Sequence, residues 1–169
     1  VFIINRTDEF LGEYIASYAE RLSWISNFSG SAGRAIIEKN QAYIFIDGRY
    51  TSQAIEQVDS NYFTIKHLKD YWSHLEDYKK DNTIIVLDPS LHSIKEVKKM
   101  QTIFKYSSSC LEFSDKNPID INWQNQPIHP TSKAFIHQVK YSGQVSEKKI
   151  KKIQEILEKE VIDYYLLSS

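Results

Sequence analysis

The chain has 169 residues, 41% of them hydrophobic and 13% aromatic, with eleven tyrosines and three tryptophans; such a composition can close a packed core and excludes a disordered coil. Lys and Arg number 21 against 22 Asp and Glu, a formal net charge of −1, which gives neither a nucleic acid nor an anionic membrane surface a reason to bind. No run approaches the roughly 18 apolar residues of a membrane span, and one cysteine, Cys110, cannot close a disulfide within the chain.

Val1 to Ile4 is short, apolar and β-branched, and reads as a buried strand. It lacks an initiator Met and meets Asn5 and Arg6 at once, unlike a signal peptide; a cytoplasmic protein with sequence missing ahead of Val1 is the expectation. Thr7 is placed to cap a short helix through Glu9, Phe10 and Leu11, with Asp8 and Glu9 in its first turn. Arg21 to Phe28 then leads into a run of small residues, Ser29 to Gly33. Ala35–Ile37 and Tyr43–Ile46 read as two strands around the polar turn Lys39–Gln41. Asp47 and Gly48 end the second strand. Tyr50, Ala54, Ile55 and Val58 recur at helical spacing, predicting a helix from about Arg49 to Val58.

The alternation repeats. Tyr62 to His67 reads as a strand, Asp70 to Tyr78 as a helix, and Thr83 to Leu87 as a buried strand that Asp88-Pro89 breaks. Ser93 caps a predicted helix carrying Ile94, Val97 and Ile103, and Cys110 to Phe113 is a late strand in which the thiol is expected to be buried and inert. Strands alternating with helices imply an α/β sandwich, and the tight hairpin requires an antiparallel pair. The fold class is therefore α/β, with a mixed β-sheet flanked by helices. Composition changes near Asn117, where Pro118, Pro127 and Pro130 fall among polar residues; this reads as an extended connector. Beyond it, Ser146 caps a helix with Ile150, Ile153, Ile156, Leu157 and Val161, feeding a strand from Ile162 to Leu167. One helix and one strand cannot bury a core alone, so a second domain is expected to begin here, its helix packing on a sheet of its own or a neighbouring molecule.

The candidate chemistry is sparse. Ser29 to Gly33 has no following Lys and runs into a strand, whereas anion cradles open a helix. It also misses a nucleophile elbow, because Ser29 stands where that pattern needs its first glycine. The structural alternative is a tight backbone turn beneath neighbouring side chains. Asp47 can cap the following helix and pair with Arg49, while Gly48 supplies backbone freedom; alternatively, the planar fork of Arg49 meets a ligand carboxylate. His67, His74, His92, His129 and His137 form no ligand pattern, so neither a catalytic nor a metal-ligating residue is assigned. Lys148, Lys149, Lys151, Lys152 and Lys159 are nearly cancelled by Glu147, Glu155, Glu158 and Glu160, as on a solvated helix face.

Four stretches carry a resemblance. RLSWISNFSGSAG (Arg21–Gly33), IDGRYTSQ (Ile46–Gln53), NPIDINWQNQP (Asn117–Pro127) and Tyr141-Ser142-Gly143 occur in the order and spacing of the three-domain Xaa-Pro aminopeptidase (aminopeptidase P) family. The resemblance implies a creatinase/prolidase-type N-terminal domain over 1–116, a linker over 117–140, and the first helix and strand of a second creatinase-like domain over 141–169. The catalytic pita-bread domain, which in the family carries two divalent metal ions, commonly manganese, would lie beyond this chain. It further implies a parent metallopeptidase that cleaves the residue preceding proline and is a homo-oligomer with peptide substrates. This segment would be inactive alone. The family-motif residues Ser26, Phe28, Gly30, Ser31, Ala32, Gly33, Asp47, Gly48, Arg49 and Tyr50 carry over mainly as architecture, with Arg49 a candidate contact at the substrate entrance. Asn27 departs from the family's usual glycine before Phe28. Alternatives are a peptide- or histone-binding pseudo-enzyme module of the same fold, or a creatinase or prolidase relative.

Overall fold

The apolar residues that open the chain become the middle of a sheet. The computed structural model describes residues 1–80 and 82–167. Its strands are β1 (Phe2–Asn5), β2 (Gly33–Ile37), β3 (Ala42–Ile46), β4 (Phe63–His67), β5 (Ile84–Leu87) and β6 (Cys110–Phe113), in the order β4-β3-β2-β1-β5-β6. β2 runs antiparallel to both its neighbours, while β1–β5, β3–β4 and β5–β6 are parallel. The sheet is mixed, as the hairpin requires. One end therefore gathers the carboxyl ends of five strands together with the start of β2.

The helices are α1 (Arg21–Ser26), α2 (Thr51–Gln57), α3 (Tyr71–Asp77), α4 (Ile94–Phe104), α5 (Pro118–Asn122), α6 (Val139–Ser142) and α7 (Ser146–Lys159). Alternation along the strands divides the core in two. Ile3, Ile36, Phe45, Ile85 and Leu87 meet Tyr71 and Leu75 of α3 and Met100 and Phe104 of α4. On the opposite face Ile4, Ala35, Ile44 and Ile46 meet Leu22 of α1, Ala54 of α2, Ile119 of α5 and the Phe28 ring. Ser93 closes a capping box with Glu96 at the start of α4.

Several sequence expectations are corrected. Residues 7–11 make a turn rather than a helix, because the Asp8 carboxylate accepts the amides of Phe10 and Gly12 and Leu11 takes a φ of 55°. Cys110 is exposed, not buried, at the start of an edge strand. The predicted Arg49–Val58 helix opens as a 3-10 turn, Gly48–Tyr50, before α2. Within the stretch read as an extended connector, Asn117 caps α5 with Pro118 at its first position.

The chain divides into two compact units, Val1–Pro130 and Thr131–Ser169, of which the last two residues lie outside the described ones. In the second unit α6 ends on Gly143 in the left-handed region, φ 74°. Val145, not Ser146, occupies the cap position of α7. Ile162–Leu167, expected as a strand, joins no ladder among the described residues, and a strand requires a partner for its backbone groups. Ile150, Ile153 and Ile156 of α7 are exposed.

Candidate functional site at the carboxyl end of the sheet

Two sequence motifs meet where β2 begins and β3 ends. Asn27 closes α1 in the left-handed region, φ 61°, a conformation open to Gly and next most readily to Asn; the departure from glycine keeps the backbone path. Ser26 then fixes the turn, donating its hydroxyl to Leu22 O at 2.6 Å and accepting the Phe28 amide at 3.2 Å. Phe28 is fully buried and its ring lies beneath the loop. A Cβ on Gly30 would stand 2.3 Å from Phe28 Cζ, and one on Gly33 2.9 Å from Phe28 Cε1. These glycines permit close approach of the backbone over an aromatic ring.

Ala32 accepts the backbone amide of Asp47 at 3.2 Å, joining loop to motif. Ser31 Oγ and Tyr50 OH are 2.7 Å apart, and the Tyr50 ring meets the edge of Phe28 with centroids at 5.8 Å. The Asp47 carboxylate accepts the Arg49 amide at 3.0 Å and Arg49 Nε at 2.8 Å. Those hydrogen bonds hold its carboxyl below the usual range, and the bond to Ser31 lowers the Tyr50 hydroxyl. Gly48 does not use positive φ, so the backbone freedom expected of it is not called on; a Cβ there would come 3.2 Å from His67 Nε2. Ser26, Phe28, Gly30, Ser31, Ala32, Gly33, Asp47, Gly48, Arg49 and Tyr50 thus form one corner, with the Arg49 side chain 72% exposed.

Sequence reasoning missed what clamps this corner. Gln57 Oε1 accepts the Ser29 amide at 3.0 Å, and Gln53 and Gln57 donate to Ser29 Oγ, each at 3.0 Å. The signal was present as Gln at i and i+4 on one helix face. Also missed was Arg21, whose Nε and Nη2 grip Asp120 of α5 at 2.7 and 2.9 Å.

The corner has no nucleophile–base pair: the Ser31 hydroxyl meets a phenol and Ser29 meets amides. Among the described residues no group of three or more His, Cys, Asp or Glu could hold a metal ion.

Residues 5–119 match the family model described as Creatinase/Prolidase N-terminal domain, and the chain belongs to that family. Among curated proteins it is 29% identical to "Probable Xaa-Pro aminopeptidase P" of Ajellomyces dermatitidis, over 99% of this chain and 28% of that protein. It is 35% identical to the protein of the same description from Coprinopsis cinerea, over 95% of this chain and 26% of the relative. The chain thus spans little more than a quarter of the relatives it matches. Its fold is shared with the X-prolyl aminopeptidase of Caenorhabditis elegans, a cytosolic enzyme with a di-nuclear active site. The TM-score is 0.77 at 24% identity, covering 96% of this chain and 27% of that one.

Proposed function

We propose that this chain is the non-catalytic N-terminal region of a metal-dependent Xaa-Pro aminopeptidase. Its near end-to-end match to one quarter of proteins so described carries the reading. The parent acts on peptides with proline in second position, holds two divalent metal ions (manganese in this reading) in a domain outside this sequence, works in the cytoplasm and assembles as a homo-oligomer. In this reading the creatinase-like domain takes in α5 and runs to Pro130, the linker follows it, and residues 141–169, with α7, open the next domain. The family-motif corner is scaffold that shapes the substrate entrance.

Arg49 is the residue of this corner suited to touch substrate. Its guanidinium stands in solvent on a short, doubly hydrogen-bonded turn, and its planar fork fits a peptide carbonyl or carboxylate. In the whole enzyme, Arg49→Ala lowers kcat/KM for Xaa-Pro peptides by about ten-fold, the loss of roughly one charged hydrogen bond, while thermal stability stays unchanged. Equal kinetics would dismiss the contact. For the larger reading, the parent releases the residue before proline and loses that activity to a chelator, while the 169-residue chain releases none. A parent that binds proline-containing peptides without cleaving them would establish a pseudo-enzyme module instead.

A further inference from the structure

One imidazole nitrogen lies within reach of both a cation and a carboxylate. His74 stands on α3 with its side chain 12% exposed, and the Tyr43 and Phe45 rings of β3 pack on it. Lys66 belongs to the edge strand β4 and lies opposite Phe45 in the ladder, so its side chain leaves the strand on the face that α3 covers. Its ammonium sits 4.4 Å from the centre of the Tyr43 ring and 3.1 Å from His74 Nδ1. Asp77, one turn further along α3 and 80% exposed, brings Oδ2 to 3.8 Å from the same Nδ1. Across the ring, Nε2 is 3.3 Å from Tyr78 OH, and that hydroxyl donates to Glu38. Among the described residues the titratable groups facing His74 are therefore Lys66, Asp77, Tyr43, Tyr78 and, through Tyr78, Glu38.

The chemistry of these neighbours fixes what one proton does. An ammonium has donors only, so it bonds Nδ1 only while that atom keeps its lone pair. The neutral ring then carries its hydrogen on Nε2, where Tyr78 OH accepts it. A second proton enters at Nδ1 and leaves Nε2 as it was. Nδ1–H has nothing to accept with, and two cations 3.1 Å apart repel in a mostly buried site that salt screens little. What Nδ1–H needs is an acceptor. Asp77 Oδ2 is the carboxylate in reach, about 1 Å short of a charged hydrogen bond and free to close that gap from solvent. Lys66 is partly exposed, and its flexible stem lets the ammonium turn out to water. Burial, and then the Lys66 charge, hold the imidazole below its ordinary value, which puts the event on the acid side of neutrality.

We propose that His74 is a proton-operated switch between two partners: the neutral ring ties α3 to the edge strand through Lys66, and the protonated ring releases Lys66 and bonds Asp77 on its own helix. A tie between two elements is exchanged for a tie within one, so acid frees a lysine at the sheet edge and loosens β4 from α3. The switch stands whether or not Arg49 touches substrate.

The test is an NMR titration of the 169-residue chain, labelled with ¹³C and ¹⁵N, from neutral pH downward. It follows the His74 ring, the Lys66 Cε–H and Tyr43 ring signals, and the cross-relaxation between Lys66 Cε–H and the His74 ring. The Lys66 and Tyr43 signals move with the His74 midpoint as the ammonium leaves the Tyr43 face, and the Lys66–His74 cross-relaxation is lost over the same range. In His74→Gln neither signal moves there; Glu38 titrates in both chains and cancels. Lys66→Met raises the His74 midpoint by removing the opposing cation, and Asp77→Asn lowers it by weakening the acceptor of the acid form. Lys66 and Tyr43 signals that stay still through the His74 midpoint, signals that move alike in His74→Gln, or a midpoint that Asp77→Asn leaves unchanged would each overturn the proposal. So would a chain that unfolds before His74 titrates, because the acid form then has no folded state. Should His74→Gln fail to fold, the unaltered chain and Asp77→Asn, whose side chain is in solvent, decide between them.

Discussion

Phe28 decides how much the loop above it tolerates. Adding one methyl at Gly30 places carbon inside the van der Waals radius of a ring that is itself buried on all sides. Gly30→Ala therefore destabilises by about 1–3 kcal/mol, the usual cost of overpacking, read as a lower urea midpoint with an unchanged slope. A second residue-level case is His74. Lys66 Nζ lies 3.1 Å from its Nδ1, so Nδ1 accepts and the ring is neutral; Nε2 then donates to Tyr78 OH at 3.3 Å, which donates to Glu38. The rings of Tyr43 and Phe45 pack on it, and Asp77 stands 3.8 Å from Nδ1. Burial, and then the Lys66 charge, push the imidazole below its ordinary 6.5. The unfolded chain thus takes up the proton first, so this contribution is complete above about pH 6.5 and shrinks as pH falls toward the folded value. Between pH 7.5 and 5.5 the unaltered chain loses more stability than His74→Gln, a difference in which His92, common to both, cancels. At this scale the sequence offered an Asp47–Arg49 pair as one of two readings of Arg49, since the partners are two residues apart. It could not show Phe28 beneath Gly30, nor Arg21 on Asp120, because those contacts depend on how the chain returns.

Elements differ in how they are held. α4 carries its start signal within itself: Ser93 accepts the Glu96 amide at 3.2 Å, and the Glu96 carboxylate accepts from the Ser93 amide at 3.3 Å. Ser93→Ala costs about 1 kcal/mol, measurable by thermal denaturation. α5 is too short to persist on its own propensity and is fastened from outside, through Ile119 in the core and the Arg21 fork. Asp120→Ala strands a guanidinium only 8% exposed and costs about 3 kcal/mol, near the low end for a broken buried pair because Asp120 is itself one-third exposed. Limited proteolysis then cuts within residues 117–130, where the unaltered chain resists. Three prolines among polar residues read as an extended connector, and the cap that Asn117 gives this helix shows only in the fold. The missing strand at Ile162–Leu167 is the converse: an apolar run states a capacity to pair, and pairing is decided elsewhere.

For the whole chain, the layer pattern was readable because alternating Ile3/Ile4 and Ala35/Ile36 must serve two faces, and because strands and helices alternate. Strand order was not, since nothing local tells β1 to lie between β2 and β5. The first compact unit reaches Pro130, so its last fourteen residues, 117 to 130, are part of its stability. A chain ending at residue 130 keeps the melting temperature of this unit, whereas one ending at 116 leaves Leu22 and Arg21 uncovered and melts on the order of 10 °C lower. The position of β1 has a kinetic side as well. During synthesis β1 and β2 can join early, but the other flank of β1 stays open until Val86 arrives to meet Phe2. At ribosomal rates that interval lasts on the order of seconds. Through that time the nascent polypeptide exposes a bare ribbon edge to every neighbour on the polysome, and anything that lingers there, chaperone or sister chain, competes with the segment still to be translated.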